Sequence, residues 1–165
     1  MTVTVTPLSS IQPGWRWCRK CEGLFFVGNS GKGRCPTVGM HDDTGSGYYQ
    51  LLLAPPGQPN WRRCRKCEGL FFFGNNKADG FPSFGRCPVA SAVIGNNHEP
   101  VLGSEFFLNL NNFFGSLASQ SDWRWCQKCE GMFFSGNATN GRCAAGGSHN
   151  GFNSGNYNLP NSEGV

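Results

Sequence analysis

Apolar positions along the chain fall into short clusters separated by polar, glycine-rich stretches, and the clusters recur. Residues 15–26 read WRWCRKCEGLFF, residues 61–72 WRRCRKCEGLFF and residues 123–134 WRWCQKCEGMFF. At the start of each copy tryptophan alternates with a polar or charged residue, the two-residue period of a half-buried strand. A Leu-Phe-Phe or Met-Phe-Phe run follows, too short for a helix and suited to a second strand. Later in each copy an aromatic and a leucine stand two apart (Tyr49/Leu51, Phe106/Leu108, Tyr157/Leu159), and so share one face of another strand. A further strand is predicted around Gly-Arg-Cys (Gly33–Cys35, Gly85–Cys87, Gly141–Cys143), with the preceding Gly-Asn as a hairpin turn. The Thr-Val alternation from Thr2 to Thr6 predicts one more short strand.

The pattern therefore predicts an all-β protein of three homologous four-strand repeats, at 14–56, 60–117 and 122–160, within a single domain spanning 1–165. Proline-rich APPGQPN (Ala54–Asn60) and the stretch Phe114–Asp122 join the repeats. One repeat is too small to bury a sufficient core by itself. Two arrangements answer that. The repeats close around a pseudo-threefold axis as a β-trefoil, which is the expectation, or they stand as three tandem zinc-ribbon-like beads, each held by its own metal.

The metal enters through the cysteines. Nine cysteines and three histidines are distributed as Cys18, Cys21, Cys35 and His41; Cys64, Cys67, Cys87 and His98; and Cys126, Cys129, Cys143 and His149. Each set reads Cys-x2-Cys, then Cys, then His. A tetrahedral zinc site takes four such donors, and a tight turn between paired cysteines aims both sulfurs at one ion. Gly23, Gly69 and Gly131 give that turn room. An odd number of cysteines cannot all pair as intramolecular disulfides, and iron-sulfur clusters usually ask for four cysteines. Three structural Zn2+ ions are expected.

Zinc also changes the charge. The formal net charge is +4 with cysteines counted as neutral. Three thiolates and one Zn2+ leave each site at about −1, which brings the molecule down to about +1. Lys20, Lys66 and Lys128, inside the cysteine knuckles, are expected to offset thiolate charge. A basic face for nucleic acid is correspondingly weakened. No apolar window is long enough to span a membrane as a helix, and the N-terminal stretch lacks the basic start and apolar run of a secretory signal. The default expectation is a cytoplasmic protein that does not insert into membranes.

The phrase Trp-Arg-Trp-Cys-x-Lys-Cys-x-Gly-Leu-Phe-Phe, followed by Gly-x-Cys, His and an Asn-Tyr-x-Leu ending (Asn156–Leu159), resembles a tandem repeat of small, largely uncharacterised proteins of actinobacteria and fungi. The resemblance covers about residues 14–160. It implies a shared zinc-stabilised, trefoil-like fold and carries no activity with it. The second repeat departs most, with Arg63 in place of the second tryptophan, so a site built on that tryptophan would be altered there.

With every cysteine and histidine assigned to metal, no thiol nucleophile or imidazole base remains. A closed Cys3His site also offers no open position for substrate. The expectation is a non-enzymatic protein, first a multivalent carbohydrate-binding, lectin-like module. Its stacking faces would be Trp15, Trp61 and Trp123 and its amides Asn29, Asn75 and Asn137, although the same residues also suit core and turn positions. Two alternatives stand beside it. One is a nucleic-acid-binding zinc-knuckle protein using Arg16, Arg62, Arg124, Arg34, Arg86 and Arg142. The other is a protein-interaction or inhibitor scaffold working through the second repeat's insertions, Lys77–Phe84 and Val89–Asn97.

Overall fold

The computed structural model describes residues 11–29, 31–75, 84–90, 95–103, 105–110 and 118–161. The strand expected at Thr2–Thr6, residues 77–83 of the first insertion and residues 91–94 of the second lie outside these. Among the described residues there is no helix, and nine strands form three equivalent sets. The first repeat supplies β1 (Ile11–Trp17), β2 (Leu24–Phe26) and β3 (Tyr49–Leu52); the second β4 (Gln58–Arg63), β5 (Leu70–Phe72) and β6 (Phe106–Leu108); the third β7 (Ser119–Trp125), β8 (Met132–Phe134) and β9 (Tyr157–Pro160).

In every repeat the first strand lies between the other two, antiparallel to both. Trp15 opposes Phe26 and Tyr49; Trp61 opposes Phe72 and Phe106; Trp123 opposes Phe134 and Tyr157. The three blades join at both ends. Bridges Phe25–Gly69, Phe71–Gly131 and Gly23–Phe133 close a ring at one end. At the other, β3 pairs with β6 through Leu52 and Phe107, while Asn109–Asn158 and Tyr49–Asn161 complete the circuit. The result is a trefoil-like closure around a pseudo-threefold axis.

Closure follows from where the apolar side chains go. Alternate residues of β2 face opposite ways: Leu24 and Phe26 enter the central core, while Phe25 enters a separate cluster with Cys18, Cys21 and Cys35. The same division holds for Leu70 and Phe72 against Phe71, with Phe133 facing the third cysteine cluster as Met132 faces the core. A three-residue apolar run is what a short strand buried on both faces requires. Trp15, Trp61 and Trp123, all fully buried, meet in one central core with Leu51, Leu108 and Leu159. That core belongs to all three repeats, so separate beads are not what the chain forms.

Two expectations need correcting. The Gly-Arg-Cys segments are not strands; the first repeat has only an isolated bridge there, Arg34–Met40. Gly33, Gly85 and Gly141 have φ near +70° (72°, 68° and 71°), a left-handed conformation incompatible with extended pairing. The first strand of each repeat also begins earlier than its tryptophan, so part of each presumed joining segment is strand. A bulge hid this, since pairing shifts between Gln12 and Trp15, Gln58 and Trp61, and Gln120 and Trp123. Gly14, Asn60 and Asp122 take positive φ at these three bulges.

Candidate metal centres and the clamps between repeats

The cysteine pair of each repeat sits in the turn leaving the first strand. Cys18 N–H donates to Gly23 O (2.9 Å) and Glu22 N–H to Cys18 O (2.8 Å); the other repeats reproduce both bonds. The left-handed residue of this turn is the glutamate, with φ of 66°, 64° and 65° at Glu22, Glu68 and Glu130. The glycine that follows serves a different need from the one expected. A Cβ on Gly23, Gly69 or Gly131 would stand 3.3, 3.4 or 3.2 Å from the sulfur of the second cysteine. In the first and third repeats this glycine's N–H also donates to that sulfur at 3.4 Å.

A second tight turn delivers the third cysteine and the histidine. Cys35 N–H bonds Gly39 O and Cys143 N–H bonds Gly147 O, both at 2.8 Å. In the second repeat the longer segment still closes on the cysteine, through Cys87 N–H to Asn96 O at 2.5 Å. Lys20, Lys66 and Lys128 donate to carbonyls of this loop, at Val38 and Met40, Val89 and Gly95, and Gly146 and Ser148. The lysines, expected to offset thiolate charge, thus also brace the loop that carries the third cysteine and the histidine. Backbone amides meet the sulfurs instead: Asp42 N–H to Cys18, Glu99 N–H to Cys64 and Asn150 N–H to Cys126, at 3.3–3.4 Å.

Each set of three cysteines and one histidine is fully brought together, with all donor atoms within 4.8 Å of one another and every residue buried. The first-to-third sulfur separations are 3.9, 3.8 and 3.8 Å, and the second sulfur lies 3.6 Å from histidine Nδ1 in all three. A tetrahedron with Zn–S near 2.3 Å and Zn–N near 2.05 Å has edges of about 3.8 and 3.6 Å. The donor sets fit three structural Zn2+ ions. They also need a cation. Cys64 is held below the ordinary thiol range, chiefly by its hydrogen bond with Cys67, while Cys67 is pushed well above it by the same contact. Cys87 is pushed up to about 12, chiefly by Cys64. Three thiolates in contact cannot ionise together unless a positive ion removes the conflict.

The zinc sites are tied to the joints between repeats. With Nδ1 facing metal, the other ring nitrogen carries hydrogen and can donate. His41 Nε2 reaches Cys67 O of the second repeat at 3.2 Å, and His149 Nε2 reaches Cys21 O of the first at 3.1 Å. Each histidine ring also stacks on the phenylalanine of its own repeat: His41 on Phe25, His98 on Phe71 and His149 on Phe133, with centroids 4.5–4.8 Å apart.

A second clamp uses residues expected to do other work. Asn29 donates both ways to the Glu68 carboxylate, Asn75 to Glu130 and Asn137 to Glu22, all at 3.0–3.2 Å. Each asparagine thus locks its repeat to the next around the ring. Trp17 and Trp125 donate their indole N–H to Glu22 and Glu130 at 2.6 Å. Arg63 takes that place in the second repeat and reaches Glu68 at 2.6 Å, so the departure from tryptophan preserves the bond and adds a charge. The predicted stacking faces Trp15, Trp61 and Trp123 are fully buried and present nothing to a ligand. These tryptophans therefore do not form the surface site expected of them, while the three asparagines sit at the joints between repeats.

The sequence did contain the missed signal, since the glutamate recurs after the second cysteine in every repeat, but its partner lies across a joint. Among the described residues no helix is long and apolar enough to cross a membrane. No family model, curated protein or solved structure matches the chain.

Proposed function

We propose that this zinc-stabilised protein is a non-enzymatic glycan-binding module whose sites are clefts between repeats. The observation that carries this is a cavity of about 330 Å3 where the first and third repeats meet. It is lined by the aromatic side chains of Trp17, Tyr49 and Phe134 and the amides of Gln120, Asn137 and Asn161. Aromatic faces beside convergent amides suit a sugar, whose ring has an apolar face and whose hydroxyls both donate and accept. The site thus moves from Trp15 to Trp17, two residues along the same strand.

The pseudo-symmetry supplies a count. Trp125, Phe72 and Asn75 occupy the corresponding positions between the third and second repeats. Between the second and first, Arg63 replaces the tryptophan, and its guanidinium carbon lies 5.3 Å from the Phe26 ring centroid, over the aromatic face. Two sugar sites are therefore expected rather than three, with weak individual binding raised by multivalency. The nucleic-acid alternative is less favoured, because three zinc sites bring the net charge down to about +1 and, of the arginines it would use, Arg62 pairs with Glu105.

The test is a glycan array followed by calorimetric titration of the zinc-loaded full chain. Trp17→Arg is the informative variant, since Arg63 already makes the same carboxylate bond. It should remove one of two sites while leaving melting behaviour nearly unchanged. An array without hits, or binding unaffected by Trp17→Arg and Trp125→Arg together, would sink the reading.

A further inference from the structure

The two tryptophan-bearing clefts share a floor and differ at one rim position. Between the first and third repeats, Trp17 N–H donates to Ser46 Oγ and the Ser46 hydroxyl to Gly47 O, both at 2.7 Å. Between the third and second, Trp125, Ser154 and Gly155 reproduce both bonds at the same distance. The tyrosine of each floor donates to a glutamine across the joint, Tyr49 to Gln120 and Tyr157 to Gln58. The rim residue stands four positions after the aromatic of the repeat's third strand. It is Asn161 after Tyr157, but Leu110 after Phe106. Each packs on the equivalent glycine. A Cβ on Gly47 would lie 2.9 Å from Asn161 Oδ1, and one on Gly155 would overlap Leu110 Cδ2. One cleft thus carries an amide where the other carries a half-exposed isobutyl group.

The two ends of that amide have different fates. Asn161 Oδ1 accepts from Tyr48 N–H at 3.1 Å. A backbone N–H can only donate, so the oxygen faces Tyr48 and the NH2 group points elsewhere. Gln120 Oε1 is likewise taken, by the Tyr49 hydroxyl. Among the described residues Asn161 Nδ2 and Gln120 Nε2 have no partner, and neither is sealed from solvent. Both side chains line the cleft. It therefore offers amide donors whose oxygens are already committed to the fold. Among the described residues no Lys or Arg lines it, and two lining residues, Trp17 and Asn137, hold the Glu22 carboxylate behind its wall. An anionic sugar would meet a like charge and no counter-charge. The acceptor that suits this cleft is neutral.

Resting on the sugar sites proposed above, we infer that the cleft between the first and third repeats selects an N-acetylated hexosamine, with Asn161 as the residue that determines the choice. The acetamido oxygen accepts from Asn161 Nδ2–H, a neighbouring hydroxyl accepts from Gln120, and the acetamido methyl lies on the aromatic wall. An acetamido group joins a carbonyl acceptor to an apolar methyl without adding charge, which matches amide donors beside aromatic rings. Leu110 offers no donor, so the other cleft takes sugars without this preference.

The experiment titrates N-acetylglucosamine and N-acetylgalactosamine, each against its parent hexose, and glucuronate into the zinc-loaded full chain. The side-chain amide resonances of Asn161 and Gln120 and the indole resonances of Trp17 and Trp125 report which cleft responds. One acetamido sugar is expected to bind at the Trp17 cleft about tenfold tighter than its parent, with a shift of the Asn161 amide. Asn161→Leu, matching what the other cleft already carries, should abolish that preference. Asn161→Asp should abolish it too, while keeping an oxygen for Tyr48 N–H. Leu110→Asn should bring the preference to the Trp125 cleft. A parent hexose or glucuronate binding as tightly as the acetamido sugar overturns the inference and leaves the glycan reading standing. So does a preference that survives both Asn161 variants. Absence of binding by every sugar overturns both.

Discussion

At the residue scale, the places where one repeat differs from the other two are the most instructive. Tyr49 hydroxyl donates to Gln120 and Tyr157 hydroxyl to Gln58, each across a joint between repeats. The second repeat has Phe106 there, edge-on to Trp15 at 5.2 Å, and Gln12 Oε1 is left buried without a partner. Phe106→Tyr should supply the missing donor and stabilise the protein by about 1 kcal/mol, read as a higher denaturant midpoint. Unchanged or lower stability would mean that the hydroxyl does not reach Gln12. Tyr157 gives a pH prediction of defined sign. Burial, partly opposed by the Gln58 bond, pushes its hydroxyl up to about 12, against about 10 for an unfolded tyrosine. The native state therefore holds this proton longer. Its contribution to stability is complete below pH 10 and is lost as pH rises toward 12. Denaturant midpoints measured across that window should fall less steeply in Tyr157→Phe.

At the scale of elements, the turns were harder to foresee than the strands. The apolar runs were legible because β2, β5 and β8 are buried on both faces, which leaves no polar residue between Leu24 and Phe26. The metal ligands were legible because four donors converge wherever spacing repeats. The Gly-Arg-Cys segment misled because alternation around a glycine resembles a strand, whereas Gly33 is there to let the backbone approach the next repeat. A Cβ at Gly33, Gly85 or Gly141 would overlap the carbonyl oxygen of Cys67, Cys129 or Cys21. Gly141→Ala should accordingly cost about 2–4 kcal/mol. Gly31→Ala, where nothing lies within 4 Å of the added methyl, should be nearly neutral. Equal thermal melts for the two variants would show that the joint yields easily. Arg63 teaches the same lesson from the other side. Sequence alone marks it as a lost tryptophan, while the structure gives it that tryptophan's carboxylate partner. Arg63→Trp is expected to keep stability within about 1 kcal/mol, because Glu68 retains a donor.

At the scale of the whole molecule, zinc binding and closure are one event. The same histidine that supplies Nδ1 to the metal sends Nε2 to the neighbouring repeat in two joints of three. In every joint, the glutamate beside the second cysteine receives the neighbour's asparagine. Metal loss at one site should therefore release a joint as well as a knuckle. Three ions per chain are expected by native mass spectrometry. Chelation should unfold the chain in a concerted way, because a small all-β core shared by three repeats has no stable part to leave behind. The central claim is that coupling, and site-resolved hydrogen exchange tests it most directly, comparing the zinc-loaded full chain with its Cys126→Ser, Cys129→Ser variant. The account predicts that amides of β2 and β5, in repeats whose own cysteines are intact, lose protection together with those of β8. If β2 and β5 kept their original protection while only the third repeat opened, the repeats would be independent, and the account would be contradicted.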